Sequence, residues 1–260
     1  MQHYLPPIRL TPPRPSPQLA PTICPQETDM ADTPRFLFAP PAQTTLPVTG
    51  SDLLFPVRRV YCVGRNYAEH AREMGHDPDA EPPFFFQKNP DNLATDGRFP
   101  YPTLTADLHF EVELAVALHS GGDDIPAETA LDCVFGYAAA LDMTRRDLQA
   151  QAKKAGRPWE AAKAAEHSAP IGPLSPVAAV GHLDGAAISL DVNGARRQQA
   201  ALAEMIWPVA GIIAHLSRLF TLAPGDVILT GTPAGVGAVQ RGDVMEARVD
   251  GLAPLRVEVV

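Results

Sequence analysis

Residues 108–118 carry the acidic side chains with the clearest chemical potential. Apolar residues occupy every second position of this stretch, which predicts a β-strand with one apolar face. Glu111 and Glu113 then share the opposite face, with Cα atoms about 6.5–7 Å apart. Two carboxylates at that spacing can reach one cation, whereas without a positive partner they repel each other and resist burial. The alternative is a solvated strand face on which both acids meet only water.

A third carboxylate, Asp142, follows the apolar, alanine-rich run 134–141. This position predicts a carboxylate at a strand end rather than on an open surface. Together with Glu111 and Glu113 it forms an all-oxygen ligand set, which suits Mg²⁺, Mn²⁺ or Ca²⁺ better than zinc. Three protein ligands leave coordination positions open for substrate oxygens and water. The alternative for Asp142 is a helix N-cap.

A histidine and a glutamate share one face of a short predicted helix. Asn66 and Glu69 have the spacing of a capping box, which predicts a helix over residues 67–74. His70 and Glu73 are three residues apart on it and lie on the same side. The carboxylate could then orient the imidazole, which would deprotonate a water molecule. The alternative is a surface helix with weak ion pairs, in which His70 is incidental.

Positive charge is concentrated near Asp142 in sequence. Arg145 and Arg146 follow it closely, and Lys163 lies in an alanine-rich segment where a buried ammonium would need an acidic partner. The glycine-rich loop 231–237 follows a predicted strand and lets a ligand approach backbone N–H groups. It lacks the spacing of a nucleotide-binding loop. The alternative for the cations is a solvated helix face.

The apolar periodicity and turn signals along the rest of the chain indicate an α+β domain with a strand-rich core. Asn193-Gly194 and Asp250-Gly251 are strong hairpin signals, and no βαβ periodicity dominates. Residues 205–220 have apolar positions at helical spacing and are expected to form the longest amphipathic helix. The pattern predicts strands at 57–63, 84–88, 108–118, 188–192, 227–230, 245–249 and 255–260, and helices at 67–74, 127–132, 144–155 and 205–220.

Composition excludes several classes of protein. The chain has 260 residues, 45% hydrophobic and 20% charged, as in ordinary soluble proteins of one or two domains. A net charge of −9 argues against nucleic acid and anionic membranes as partners. Three scattered cysteines suggest neither a disulfide framework nor a zinc ribbon, so a cytoplasmic location is expected. No apolar run approaches the roughly 20 residues of a membrane span.

The N-terminal part is rich in proline. Residues 1–29 are expected to be a disordered tail, because their proline density disfavours packed structure, or to follow from a mis-called start codon, because Met-Ala-Asp-Thr-Pro at 30–34 reads like a natural start. Residues 30–56 are interpreted as an N-terminal leading segment with a small strand or hairpin. Residues 57–260 are interpreted as the catalytic domain.

Five motifs occur in a characteristic order: Val-Gly-Arg-Asn-Tyr-Ala-Glu-His at 63–70, Phe-Glu-Val-Glu-Leu at 110–114, Leu-Asp-Met-Thr-Arg-Arg-Asp at 141–147, Gly-Arg-Pro-Trp at 156–159 followed by Lys163, and Leu-Thr-Gly-Thr-Pro-Ala-Gly-Val-Gly at 229–237. Over about residues 55–260 the chain thereby resembles the fumarylacetoacetate hydrolase family. Its short single-domain form and the stretch 83–90 look most like the bacterial fumarylpyruvate hydrolases and related acylpyruvases.

The resemblance implies a β-roll catalytic domain, usually a homodimer, that uses Mg²⁺ or Mn²⁺ and acts on a small anionic keto acid. Relatives usually carry an aromatic residue where this chain has Ala165, which puts the identity of the substrate in question. The roles implied by motif match are metal ligation by Glu111, Glu113 and Asp142, water activation by His70 and Glu73 on a lid segment, an active-site lysine at Lys163, and substrate contacts from Arg146, Gln149 and Thr232.

The resulting hypothesis is hydrolytic C–C cleavage of an acylpyruvate, such as fumarylpyruvate to fumarate and pyruvate. His70, oriented by Glu73, would activate water, and the metal and Lys163 would stabilise the enolate of pyruvate. Oxaloacetate decarboxylation or keto-acid isomerisation could use the same site. A metal-dependent nuclease is disfavoured by the acidic charge balance. A binding module without activity is disfavoured by the intact His70, Glu73 and Lys163.

Overall fold

The computed structural model describes residues 35–73 and 82–260. The chain divides into two compact units, Met1–Pro41 and Ala42–Val260, and every candidate site residue belongs to the second. The tail expected at residues 1–29 and most of the loop expected at 76–83 lie outside the described residues.

Strands dominate the described part of this unit. The strands are β1 (Thr45–Pro47), β2 (Leu54–Pro56), β3 (Arg59–Gly64), β4 (Phe84–Lys88), β5 (Leu93–Ala94), β6 (Arg98–Phe99), β7 (Leu108–Phe110), β8 (Val112–Leu118), β9 (Val134–Leu141), β10 (Thr144–Arg145), β11 (Ala169–Pro170), β12 (Ser175–Pro176), β13 (Ala187–Val192), β14 (Ala195–Ala201), β15 (Asp226–Leu229), β16 (Gly237–Ala238), β17 (Val244–Val249) and β18 (Leu255–Val259). The α-helices are α1 (Ala68–Glu73), α2 (Ala127–Ala130), α3 (Arg146–Ala155), α4 (Glu160–Lys163), α5 (Val177–Val180) and α6 (Val209–Ser217).

The largest sheet has six strands in the order β12-β9-β8-β15-β3-β4, in which only β15 and β3 run parallel. Strand β8 is buried on both faces. Leu114 and Val116 belong to the main hydrophobic core, while Ala115 and Ala117 pack in a second cluster with residues of β1 and β2. This division confirms the alternation of faces expected for the stretch 108–118.

A second sheet has five strands in the order β14-β13-β17-β18-β6. Its buried residues, such as Ile188 and Val257, share the main core with the first sheet and with Ile213 of α6. Both expected hairpins are confirmed, since β13 pairs with β14 and β17 pairs with β18 in antiparallel register. The result is the strand-rich α+β fold that the sequence predicts.

Several element boundaries differ from the prediction. The helix expected at 144–155 begins at Arg146, because Thr144 and Arg145 form the short strand β10 that pairs with β7. The strand expected at 108–118 is broken at Glu111, so that β7 joins a small sheet with β10 and β16 while β8 joins the large one. Helix α6 starts after Pro208, which is its N-cap, and not at residue 205. Trp207, as the residue before a proline, is biased away from helical backbone. Among the described elements α3 is therefore the longest helix, and it ends as expected at Gly156, whose φ is 60°.

Within the described residues, no helix has the length and apolarity needed to cross a membrane.

Candidate metal centre and active-site cleft

Three carboxylates from neighbouring chain segments converge at one place. Glu111 lies in the break between β7 and β8, Glu113 is on β8, and Asp142 directly follows β9. The N–H of Asp142 donates to the carbonyl of Glu111 at 2.8 Å, which aligns the two segments. One ligand oxygen from each residue lies within 4.8 Å of the other two. The exposed fractions are only 5%, 1% and 0%, so the solvated-face alternative is wrong for this set.

The residues present fit a hard divalent cation. Burial, together with the nearby charges of Asp142 and Glu111, raises the pKa of Glu113 well above its ordinary value. A positive ion would remove that penalty, because it favours all three charged forms. In addition, both oxygens of Asp142 are held by buried ammonium groups, Oδ1 at 2.9 Å from Lys88 and Oδ2 at 2.6 Å from Lys163, so the carboxylate is kept charged. An all-oxygen donor set of this kind is typical of Mg²⁺ and Mn²⁺ sites.

Lys163 supplies the acidic contacts that its buried position requires. It ends α4, and its Nζ donates to Oε2 of Glu111 at 2.7 Å and to Oδ2 of Asp142 at 2.6 Å. Burial alone would lower the pKa of Lys163, but these two carboxylates outweigh it and raise the pKa. Conversely, Lys163 and Arg146 lower the pKa of Glu111 despite its burial. These ion pairs therefore keep Lys163 protonated and Glu111 ionised despite their burial.

Lys88, the last residue of β4, is a site residue that sequence reasoning missed. Its fully buried Nζ lies 2.9 Å from Oδ1 of Asp142. It also donates to the carbonyl of Lys163 and, at 3.0 Å, to Oγ of Ser168. The only sequence signal was a buried strand ending in a lysine. Lys88 connects Asp142 to the backbone of Lys163.

The first turns of α3 face the same carboxylates. The guanidinium of Arg146 donates to Oε1 of Glu111 and, at 2.7 Å, to Oε1 of Gln149. These two residues are three apart on the helix and therefore share a face. Arg145 instead pairs with Leu108 across the small sheet, and it does not line the cleft.

The glycine-rich loop is fixed by buried hydrogen bonds. The N–H of Gly231 donates to Oε2 of Glu113 at 2.8 Å. Gln198 of β14, which the sequence did not single out, donates to Oγ1 of Thr232 at 2.8 Å and accepts from the N–H of Val112 at 3.0 Å. Asn66 donates to the carbonyl of Thr230 at 2.8 Å. Its amide is thus engaged with this loop, where the sequence suggested a helix cap.

His70 and Glu73 form the expected pair on α1. Nδ1 of His70 lies 3.3 Å from Oε2 of Glu73, and His70 is only 6% exposed. Burial lowers the pKa of His70, although Glu111 and Glu73 act in the opposite direction. Oε2 of Glu73 also accepts from the N–H of Gly235 at 3.3 Å. The surface-helix alternative is therefore wrong for the imidazole.

One cleft collects nearly all of the candidate residues. Glu73 stands outside it, bonded to the imidazole. An aromatic wall that the sequence did not reveal comes from Phe84, Phe86 and Trp159, whereas Ala165 is buried elsewhere. The candidate residues that line the cleft are His70, Glu111, Glu113, Asp142, Arg146, Gln149, Lys163 and Thr232.

Comparisons with known proteins identify the relatives of this chain. Residues 59–260 match the family model described as fumarylacetoacetate (FAA) hydrolase C-terminal. The oxaloacetate tautomerase YcgM of Escherichia coli (strain K12) is 43% identical over 205 residues, which cover 78% of this chain and 93% of that protein. The mitochondrial oxaloacetate tautomerase FAHD1 of Arabidopsis thaliana is 41% identical over 201 residues, covering 77% and 90%.

Among solved structures, fumarylpyruvate hydrolase from Pseudomonas aeruginosa, in complex with Mn²⁺ and pyruvate, is 54% identical with a TM-score of 0.86. The match covers 87% of this chain and 99% of that one. With the family model covering most of the chain and relatives this similar along nearly their whole length, the chain belongs to the fumarylacetoacetate hydrolase family.

Proposed function

We propose that this protein is a metal-dependent hydrolase that cleaves a C–C bond in acylpyruvates, with fumarylpyruvate as the representative substrate. One observation carries the proposal: a buried histidine, bonded to a glutamate, faces the same cleft as three clustered carboxylates and a lysine. The fumarylpyruvate hydrolase at 54% identity supports it.

Glu111, Glu113 and Asp142 are the residues that would hold Mg²⁺ or Mn²⁺. Bound there, a divalent ion supplies Lewis-acid polarisation of the carbonyl oxygens of a keto acid. In this proposal Arg146 and Gln149 bind the substrate carboxylate from α3, and Thr232 binds it from the loop.

His70 acts as the general base. Because a carboxylate can only accept, the contact with Glu73 places a proton on Nδ1 of the imidazole and leaves Nε2 free to take a proton from water. The hydroxide adds to the acyl carbonyl carbon, and the bond between that carbon and the pyruvyl CH₂ breaks. The products are fumarate and the enolate of pyruvate, whose CH₂ then takes up the proton that Nε2 of His70 removed from water, so that the base is regenerated. Lys163 offsets negative charge in the cleft as it develops.

A second candidate function is supported by the curated relatives at 41–43% identity, which are oxaloacetate tautomerases. Keto–enol exchange, or decarboxylation of oxaloacetate, requires the same enolate stabilisation but no attack by water. The water-activating pair favours hydrolysis as the main activity.

An assay with both substrates tests the proposal. With Mn²⁺ we expect fumarylpyruvate to lose its ultraviolet absorbance and to yield equal amounts of fumarate and pyruvate, and a chelator should abolish this. If fumarylpyruvate is stable while enol-oxaloacetate is rapidly converted, the tautomerase assignment replaces the hydrolase one. Quantifying both products by chromatography separates cleavage from isomerisation.

We further propose that the protein works as a homodimer in the cytoplasm on small anionic keto acids, without nucleic-acid or membrane partners. The family resemblance supports the dimer, and the acidic net charge of −9 disfavours polyanionic partners. Light scattering coupled to size-exclusion chromatography tests the oligomeric state, and a monomer mass would refute it.

A further inference from the structure

Helix α3 lines the cleft with more than its first turn. Arg146, Gln149 and Lys153 are spaced three and four residues apart, so all three share one face of the helix, and all three line the cleft. Arg146 contacts Glu111. Lys153 lies seven residues further on, which corresponds to about 10 Å along the helix axis. Lys153 therefore emerges from a different turn of α3 than Arg146, and its ammonium group lies beside Trp159 at the wall of the cleft.

Lys153 has no acidic counterpart within the described part of the chain. Among the residues that the structure describes, no carboxylate lies within ion-pairing distance of its Nζ. Its charged group instead lies 5.2 Å from the ring centroid of Trp159. Burial, followed by the positive charges of Arg146 and Arg65, lowers the pKa of Lys153, although the charge of Glu111 acts in the opposite direction. A half-buried cation among other cations attracts an anion from outside the protein.

An aromatic wall lines the cleft from Lys163, whose Nζ lies over the ring of Phe86, to Lys153, whose Nζ lies over the ring of Trp159. The ring of Trp159 lies 5.4 Å from that of Phe84 and 6.1 Å from that of Phe86, measured between centroids. Gly64 makes room for this arrangement, since a Cβ there would lie 2.0 Å from the ring of Phe84. Such a wall suits a flat, apolar connecting chain better than a hydrated one.

We propose that the cleft selects acylpyruvates whose acyl arm ends in a second carboxylate, and that Lys153 binds this distal carboxylate. This inference rests on the proposed function. The carboxylates of Glu111 and Asp142 are already paired with Lys163 and Arg146. Of the described residues that line the cleft, Lys153 is a cation without an ion-paired carboxylate, and it would meet the far end of the substrate beside Trp159.

The kinetic test compares fumarylpyruvate with acetylpyruvate, which lacks the distal carboxylate. In Lys153→Met we expect kcat/KM for fumarylpyruvate to fall about tenfold or more, as loss of a charge-assisted contact predicts, while acetylpyruvate changes less than twofold. Lys153→Arg should retain most of the preference. Lys154→Met is the matched control, because Lys154 is exposed on the same helix. Equal losses on both substrates, or none on either, would overturn the inference.

A binding test keeps the inference separate from the hydrolase assignment. Calorimetry on the Mn²⁺-loaded protein compares fumarate with crotonate, in which a methyl group replaces one carboxylate. We expect the wild type to prefer fumarate and Lys153→Met, checked for an unchanged circular dichroism spectrum, to lose that preference. If the preference depends on Lys153 but no acylpyruvate is cleaved, only the proposed function fails. If the variant keeps the preference while fumarylpyruvate is hydrolysed, only the inference fails.

Discussion

At the scale of single residues, the site is a balance of buried charges. Three carboxylates within 4.8 Å of one another would be strongly destabilising in isolation, because desolvation and mutual repulsion act together. Lys163 and Lys88 offset part of this cost from one side. Both oxygens of Asp142 and both oxygens of Glu111 have cationic partners among the described residues, which leaves the carboxylate of Glu113 in greatest need of a cation.

Replacing the proposed base separates chemistry from metal binding. In His70→Ala we expect kcat to fall by about 10²–10⁴, the usual contribution of a general base, while affinity for Mn²⁺ stays unchanged. The exposed His119 provides a control in His119→Ala, which should keep full activity. Wild-type turnover of fumarylpyruvate by His70→Ala would refute the assignment of the base.

The pH dependence follows from the burial of the imidazole. Burial lowers the pKa of His70, so the neutral form that accepts a proton persists below the ordinary value of about 6.5. The acidic limb of the kcat/KM profile should therefore lie below pH 6.5, with activity lost as the pH falls through the lowered pKa. Since Glu73 raises this pKa, Glu73→Gln should move the limb further toward acid. If the acidic limb stays at the same pH in Glu73→Gln, the proposed pairing of Glu73 with His70 is wrong.

At the scale of elements, one glutamine joins three parts of the chain. Gln198 of β14 accepts from the N–H of Val112, 86 residues away, and donates to Thr232 and to the carbonyl of Pro233. It therefore holds the glycine-rich loop against the start of β8. This is the region that carries Glu113 and its partner Gly231.

Removing that amide should loosen the loop. We expect Gln198→Leu to lower the free energy of unfolding by about 1–3 kcal/mol, because it leaves the buried N–H of Val112 without a partner. The neighbouring Gln199→Leu, at an exposed position, should change it by less than about 0.5 kcal/mol. Urea denaturation of both variants measures the difference, and equal midpoints would contradict the role of Gln198.

The sequence predicts elements with strong periodicity and misses features set by tertiary contacts. Alternation along 108–118 predicts which residues oppose each other, yet the break at Glu111 depends on the pairing of β7 with β10 and β16. Pro208 marks the start of α6, and the sequence shows it, but apolar spacing alone placed the start of the helix three or four residues too early. Lys88 and Gln198 could not be assigned because their partners lie 34 residues or more away, in segments that only the fold brings together.

At the scale of the whole molecule, two sheets and α6 share one core. Strand β9 contributes Leu141 to this core immediately before Asp142 at the candidate metal centre. Packing of the core therefore determines where the third carboxylate stands.

A truncation in the core tests this coupling. We expect Leu141→Ala to lower the free energy of unfolding by about 2–5 kcal/mol, the range for buried leucines, and to weaken Mn²⁺ binding as well. Leu219→Ala, at a residue that is 63% exposed, should do neither. Chemical denaturation and metal titration report the two effects, and full metal affinity in Leu141→Ala would show that the core does not position Asp142.

The central claim is that Glu111, Glu113 and Asp142 together hold one divalent ion. Calorimetric titration of the full chain with Mn²⁺, in parallel with Glu113→Gln, tests it most directly. We expect one ion per wild-type chain and no saturable binding in the variant, with circular dichroism showing that the variant is folded. Absence of Mn²⁺ uptake by the wild type, or undiminished uptake by Glu113→Gln, would contradict the account.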